Sequence, residues 1–291
     1  SMNKHYSILH ISDLHKGENN DFDHLFASLC NDADSYDQDI PKPEFIVVCG
    51  DLAEGANGED AEEKIVKQYQ EVESFLDKLV RHFLNGDKSR IIIVPGNHDL
   101  YRGATIRSME AIPDDIRESA KERYLKGDPQ YRWSWKDFCF YLINKEEEYA
   151  SRFKFFVEFY NRFYEGIRTI DDCDMLNKII DFPEYNIAFA TFNSCYRIDH
   201  LNQIGAINSK AIAESQSELS KVFKYGRFIV GVWHHNISGI PTQTNYLDPR
   251  VLHSLMDFHI QLGLYGHQHH TEALYEYHDI FKQGRMTLIS S

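Results

Sequence analysis

Aspartate, histidine and asparagine side chains recur in five short motifs spread over the sequence. The motifs are Asp13-Leu14-His15, Gly50-Asp51, Gly96-Asn97-His98-Asp99, His234-His235 and Gly266-His267-Gln268-His269. Carboxylate, imidazole and amide oxygen together suit Mn²⁺, Fe or Zn²⁺, and so much imidazole argues against Mg²⁺ or Ca²⁺. The side-chain types therefore predict a transition-metal site.

Each motif lies at the carboxyl end of a predicted strand. Short apolar runs, rich in β-branched or aromatic residues, are typical of buried strands, and they occur at 6–11, 45–49, 91–94, 187–192, 228–233 and 261–265. Open α/β sheets bind ligands at this edge, because the loops there converge on a crevice. Residues i and i+2 of a strand point the same way, so Asp13 with His15, and His267 with His269, are each expected to present two ligands together.

Taken singly, most of these motifs have a simpler explanation. A Gly-Asp pair is usually a turn, and Asp-x-His or His-x-His is more often a polar strand end than a ligand pair. Gly-Asn-His-Asp is a sharper signal, because a given tetrapeptide seldom arises by chance. The ordered set of five, each after a strand, decides for a metal site.

Helical patterns lie between some of the strands. Apolar residues step by three and four over 61–83, and a second helix is predicted over 209–223 with Ser209 as its cap. Strands alternating with helices predict an α/β architecture. Residues 105–181 break this rhythm, and we interpret them as an inserted helical subdomain, a lid or specificity element. The aromatic face at 153–163 is expected to be the core of that insert.

The segment Ile8-Leu9-His10-Ile11-Ser12-Asp13-Leu14-His15, followed by the four later motifs in this order, resembles the calcineurin-like metallophosphoesterase superfamily. The resemblance extends over the whole chain except the helical insert. It implies a double β-sheet sandwich flanked by helices, with residues 1–291 forming the catalytic domain. It also implies two divalent metal ions at one end, and we expect Mn²⁺ first, with Fe or Zn²⁺ as alternatives.

The resemblance also implies a role for each motif residue. One metal would be held by Asp13, His15, Asp51 and His269, and the other by Asp51, Asn97, His234 and His267. His98 would contact the substrate and give a proton to the leaving group. Asp99 would orient the His98 ring. His235 is expected beside the ligands, in a structural or a catalytic role.

Two departures from the family pattern bear on the substrate. The Gly-Asp motif continues as Leu52-Ala53-Glu54, without the Asp-Arg-Gly of protein Ser/Thr phosphatases, which argues against phosphoprotein substrates. Asn236 follows the His-His pair where many relatives have proline. We therefore expect a phosphodiesterase or phosphatase acting on small molecules or nucleotides.

Two alternatives to that function stay open. A nuclease on DNA or RNA is disfavoured by a net charge of −14, although several basic residues lie near the start of the insert. A non-catalytic scaffold would lack a ligand or His98, and here every such position is filled.

Composition indicates where the chain belongs. No run of about 18 apolar residues predicts a membrane span, and no secretory signal is visible. The five cysteines are odd in number and have no C-x-x-C spacing, which favours reduced thiols and a cytoplasmic location. The abrupt ends suggest an excised catalytic domain, with further domains of the full-length protein beyond Ser291.

Overall fold

A computed structural model of the chain describes residues 5–15, 17, 21–35, 40–237, 246–266, 274–279 and 284–290. Its strands are β1 Ser7–Ile11, β2 Pro43–Cys49, β3 Ile91–Val94, β4 Met109–Ala111, β5 Tyr131–Ser134, β6 Cys139–Ile143, β7 Ile179–Phe182, β8 Ile187–Thr191, β9 Phe228–Val232, β10 Leu262–Tyr265, β11 Leu274–Asp279 and β12 Gly284–Ser290. Its α-helices are α1 Phe22–Asp34, α2 Ala61–Leu84, α3 Arg102–Arg107, α4 Arg117–Leu125, α5 Glu146–Ala150, α6 Lys154–Tyr164, α7 Ser209–Lys224 and α8 Pro249–Asp257. The six predicted strands and two predicted helices are confirmed, with ends that differ by at most two residues.

The first sheet consists of β1, β2 and β3 in that order, all parallel. Parallel strands need crossover connections, and α1 and α2 supply them here. The apolar stripe of α2 covers one face of the sheet, with Ile65, Val72 and Leu76 buried in the same core as the strands. Burial on both faces explains why β2 and β3 are almost continuously apolar.

The second sheet has the strand order β11-β12-β10-β9-β8-β7, with a parallel centre and antiparallel edge strands. Alternate residues divide its two faces. Phe189 and Val232 join the core shared with the first sheet, whereas Ala190 and Ile229 pack in a second core with α7 and α8. The rings of Phe45 and Phe189, 5.1 Å apart, join the two sheets. The predicted double β-sheet sandwich flanked by helices is confirmed.

Residues 105–181 contain more than helices. Between α3 and α5 lies an antiparallel sheet with the order β4-β6-β5. The prediction that the whole segment is helical is therefore wrong for the strands β4, β5 and β6. The sequence signal that was missed is the alternation of aromatic and polar residues in Tyr131-Arg132-Trp133-Ser134, which has the period of a strand. The role of the segment as a lid or specificity element remains a prediction.

The aromatic face of α6 does not form a separate core. Phe156, Phe159 and Phe163 are fully buried in the core that holds the first sheet. The ring of Phe159 stacks on Tyr69 of α2, with centroids 5.2 Å apart. The predicted separate core is wrong, because helical periodicity identifies a buried face without identifying what covers it.

The start of α7 also differs from the prediction. Asn208, one residue earlier than the predicted Ser209, caps the helix and accepts a hydrogen bond from the Lys210 amide at 3.0 Å. An amide oxygen satisfies a free N–H of the first turn as well as a hydroxyl does. Among the described residues, no helix has the length and apolar composition that crossing a bilayer requires.

Candidate metal centre and active site

Two loops bring the first three candidate ligands together at the carboxyl edge of the first sheet. The Asp13 amide donates to the Gly50 carbonyl at 3.1 Å, and the His15 amide donates to the Asp51 carbonyl at 2.8 Å. Asp13, His15 and Asp51 have φ angles of 54°, 44° and 53°, which L residues seldom adopt. Since β1 ends at Ile11, the Asp13–His15 pairing comes from this strained loop and not from strand alternation.

Ligand atoms from four separate motifs meet around Asp51. The His15 Nε2 atom lies 3.5 Å from Asp13 Oδ1 and 3.7 Å from Asp51 Oδ2. The His234 Nε2 atom lies 3.3 Å from Asp51 Oδ2 and 2.9 Å from Asn97 Oδ1. Asp51 is shared by two groups whose ligand atoms lie within 4.8 Å of one another: Asp13, Asp51 and His234, and His15, Asp51 and His98.

The two carboxylate oxygens of Asp51 have different partners. Oδ1 accepts a hydrogen bond from the His98 amide at 2.8 Å, and Oδ2 lies between the rings of His15 and His234. The side chain is only 1% exposed. A buried carboxylate oxygen that faces ring nitrogens from two sides is placed to bridge two cations.

The tautomer of His234 tests whether a metal ion fits this cluster. Its Nδ1 atom lies 2.6 Å from the Cys49 carbonyl, which can only accept, so Nδ1 carries the hydrogen. In the neutral ring, Nε2 then presents a lone pair toward the oxygens of Asp51 and Asn97. A proton on Nε2 or a metal ion between these atoms satisfies the contact, and a backbone carbonyl behind the ring is the usual support of a metal-ligating histidine.

The pKa values of His234 and Asp51 also indicate that the cluster favours positive charge. Burial alone would lower the pKa of His234, but the carboxylates of Asp51 and Asp13 raise it to about 9. Burial would raise the pKa of Asp51, and the His234 ring beside it holds that pKa well below its usual range. The cluster stabilises a cation at its centre.

Glycine at position 50 allows the loops to approach so closely. Gly50 has a φ of 83°, and a Cβ there would lie 2.6 Å from the Gly96 nitrogen and 2.7 Å from His234 Nδ1. Any side chain would therefore push the Gly-Asn-His-Asp loop and the His234 ring away from Asp51.

The predicted role of Asp99 is wrong. Its buried carboxylate accepts hydrogen bonds from the Leu52, Ala53 and Gly96 amides at 2.8–3.3 Å and from the Tyr69 hydroxyl at 2.7 Å. Asp99 thus joins the loops after β2 and β3. It acts on the backbone of the site and does not orient the His98 ring.

The His98 ring has a different partner. Its Nδ1 atom lies 3.2 Å from the Glu54 carbonyl, which accepts its hydrogen and leaves Nε2 directed elsewhere. The ring is exposed and meets the His15 ring edge-to-face at 4.6 Å between centroids. Backbone carbonyls leave no trace in a motif, so nothing in the sequence identified this partner.

His235 lies beside the ligands but is packed inside the protein. Its ring is 1% exposed, and Nδ1 lies 2.7 Å from the hydroxyl of Ser194. That hydroxyl also accepts hydrogen bonds from the amides of His234 and His235. Ser194, which the sequence did not single out, therefore positions the His-His pair.

His267 and His269 lie outside the described residues, and their predicted ligand roles remain predictions. Gly266, the last described residue before them, lies at the carboxyl end of β10, as the sequence predicted. Its amide donates to the His234 carbonyl at 3.0 Å, and a Cβ on Gly266 would lie 2.6 Å from Ser12 Cβ. The end of β10 therefore abuts the loop that carries Asp13.

Comparison with known proteins places the chain in a family. A family model described as calcineurin-like phosphoesterase matches residues 6–271. The chain belongs to this calcineurin-like phosphoesterase family. Members of the family use dinuclear centres of divalent metal ions. The resemblance predicted from the five motifs is confirmed.

Individual similarities to this family member are distant. The chain is 29% identical over 133 residues to the DNA polymerase II small subunit of Methanocaldococcus jannaschii, a match that covers 41% of the chain and 21% of that subunit. Among solved structures, a purple acid phosphatase from yellow lupin (Lupinus luteus) matches 98% of the chain and 44% of its own length, at 10% identity and a TM-score of 0.48. A dimetal phosphatase from Danio rerio matches 98% of the chain and 86% of its own length, at 14% identity and a TM-score of 0.46.

Proposed function

We propose that this chain hydrolyses phosphate esters with two divalent metal ions bound around Asp51. The observation that carries the proposal is the convergence of carboxylate, imidazole and amide oxygen ligands from separate loops on the buried Asp51 carboxylate. We assign Asp13, His15 and Asp51 to one ion, together with His269, and Asp51, Asn97 and His234 to the other, together with His267. When bound, the ions would supply a Lewis-acid site for phosphate and would lower the pKa of a bound water.

The protein residues then position the ester and move a proton. Asp51 and the strained loops hold the ligand atoms in place before substrate arrives, so little reorganisation is needed during the reaction. His98 lies at the exposed side of the cluster, and the Glu54 carbonyl fixes its Nδ1. Its Nε2 is assigned to donate a proton to the leaving oxygen.

A small substrate fits this site better than a polymer does. The net charge of −14 disfavours a long polyanion, whereas the metal cluster attracts one phosphate locally. We infer a phosphodiesterase or phosphatase acting on small molecules or nucleotides, with Mn²⁺ as the preferred ion. The five cysteines are free thiols, which supports the proposed cytoplasmic location.

One observation favours a second candidate, a nuclease. The similarity to the archaeal DNA polymerase II small subunit is to a protein named for DNA synthesis. A non-catalytic scaffold is a third possibility, but the described ligand positions and His98 are all filled by competent residues.

Metal analysis combined with turnover tests the proposal. Protein grown with ample metal is expected to hold about two transition-metal ions, to lose hydrolysis of aryl phosphates on chelation and to regain it with Mn²⁺ more readily than with Ca²⁺. Asp51→Asn is expected to abolish both metal binding and turnover. Asp114→Asn, at an exposed position, is the matched control. Two results would refute the proposal. One is only a trace of metal in protein that was grown with ample metal, and the other is bound metal with no turnover of any ester.

A further inference from the structure

A cavity of about 420 Å³ opens beside the exposed ring of His98. Three separate parts of the chain build its walls: the loop after β2, the segment after β3 and the loop that precedes α7. Since His98 is assigned to protonate the leaving oxygen, the cavity on its side is where the leaving group would lie. Polar side chains in the lining include Asn57, Asn97, His98, Arg102, His200 and Gln203.

Arg102 is a basic residue of this lining, and its charge is available to a ligand. Among the described residues, its guanidinium has no carboxylate partner, whereas nearby Arg107 pairs with Glu148 at 2.8 Å. The backbone of Arg102 is nevertheless held. Its carbonyl accepts a hydrogen bond from the Thr105 hydroxyl at 2.9 Å, and that hydroxyl oxygen lies 3.0 Å from His200 Nδ1. Thr105 therefore links Arg102 to His200 in the cavity wall.

The carboxylates at the cavity do not neutralise Arg102. Asp199 is buried, and its Oδ2 is bound by Arg132 at 2.8 Å and by the Tyr149 hydroxyl at 2.9 Å. The Glu54 carboxylate lies against Gly17, where a Cβ would overlap it, and Gly17 is not part of the cavity lining. Arg102 is therefore the cation that this lining offers to an anionic ligand.

We propose that this cavity holds the leaving group and that Arg102 selects leaving groups that carry a second anionic substituent, a phosphate or a carboxylate. This proposal rests on the proposed phosphoesterase function. A guanidinium fork binds both anions with two parallel hydrogen bonds. Among the lining residues that the structure describes there is no Phe, Tyr or Trp, and the imidazole rings of His98 and His200 are the aromatic surfaces that a nucleobase would meet.

Size-matched aryl esters test this selection. Phenyl phosphates with a carboxylate, a phosphonate or a neutral carboxamide at the 3-position share one scissile bond and differ in leaving-group charge. We expect the wild-type protein to favour the charged esters by about tenfold in kcat/KM, as one charge-assisted pair allows. The ratio of the carboxylate to the phosphonate ester shows which anion fits better. Arg102→Gln should bring the charged-to-neutral ratio close to one, and Arg102→Lys should retain part of it.

A binding measurement separates this proposal from the phosphoesterase function. Calorimetry with the corresponding benzylphosphonates, which cannot be hydrolysed, should show the same preference and the same loss in Arg102→Gln. Arg117→Gln, whose guanidinium lies over the Trp133 ring away from the cavity, should keep wild-type turnover and preference. Turnover of all esters without preference, or a preference that survives Arg102→Gln, overturns the Arg102 proposal alone. Arg102-dependent binding without any turnover supports the pocket and refutes the phosphoesterase function.

Discussion

At the scale of single residues, the site depends on how Asp51 and Asp99 divide the available donors. Asp99 accepts hydrogen bonds from three backbone amides and the Tyr69 hydroxyl, whereas one oxygen of Asp51 faces the rings of His15 and His234. One carboxylate thus secures the loops so that the other can serve as a ligand. Two aspartates of similar burial have different functions because their neighbours differ.

Metal content should separate the ligand Asp51 from the proposed acid His98. Asp51→Asn removes the charge shared by both ligand groups and is expected to lower the bound metal from about two ions to none. His98→Ala is expected to keep both ions, since the ring is assigned to the leaving group. Elemental analysis of the two purified variants checks this. Loss of metal in His98→Ala would show instead that the ring is a ligand, as its position near His15 and Asp51 allows.

The leaving group should determine how much His98→Ala costs. An alkyl phosphate needs a proton on its leaving oxygen, so its kcat is expected to fall about 10²–10⁴-fold. A p-nitrophenyl ester needs no proton and should lose much less. The measurement is kcat over a series of leaving-group pKa values, with wild-type protein as reference. Equal losses over the whole series would contradict the acid role.

At the scale of elements, α6 is part of the main core and not of a removable lid. Its buried phenylalanines contact α2, and Arg152 just before it binds Asp174 and the Ile198, Cys195 and Tyr196 carbonyls. The helix therefore supports both the first sheet and the loop that lines the cavity. Replacing all of 105–181 would remove this support, so a lid test must spare α6.

A pair of phenylalanine substitutions tests the placement of α6. Phe159→Ala empties a fully buried position and is expected to lower the free energy of unfolding by about 3–5 kcal/mol. Phe138→Ala, at a position that is 63% exposed in the β5–β6 turn, should cost less than about 1 kcal/mol. Denaturant unfolding of both variants gives the comparison. Similar small losses would mean that α6 does not belong to the core.

At the scale of the whole molecule, local and global charge oppose each other. The chain carries −14, yet the cluster around Asp51 stabilises a cation and the adjoining cavity presents Arg102. A field of this kind favours a small anion that enters one pocket over a polyanion that must lie along the surface.

The salt dependence of polymer binding distinguishes the two substrate classes. A nuclease that neutralises several phosphates would lose affinity steeply between about 50 and 200 mM salt, because each contact releases counterions. We expect weak binding to single- and double-stranded DNA with a shallow slope, measured by fluorescence anisotropy. Tight, strongly salt-sensitive binding, with metal-dependent cleavage that Asn97→Ala abolishes, would favour the nuclease instead.

The sequence by itself determined the metal-ligand motifs, the strands that precede them and the α/β class, whereas the sandwich was implied by the family resemblance. These features are local: a strand end or an apolar period is encoded within about ten residues. The tertiary structure alone decided what each motif residue contacts. The Glu54 carbonyl orients His98, Asp99 binds amides of another loop, and Thr105 joins Arg102 to His200. Such contacts join residues as many as 95 positions apart, often through backbone atoms that every residue shares, so no spacing in the sequence reveals them.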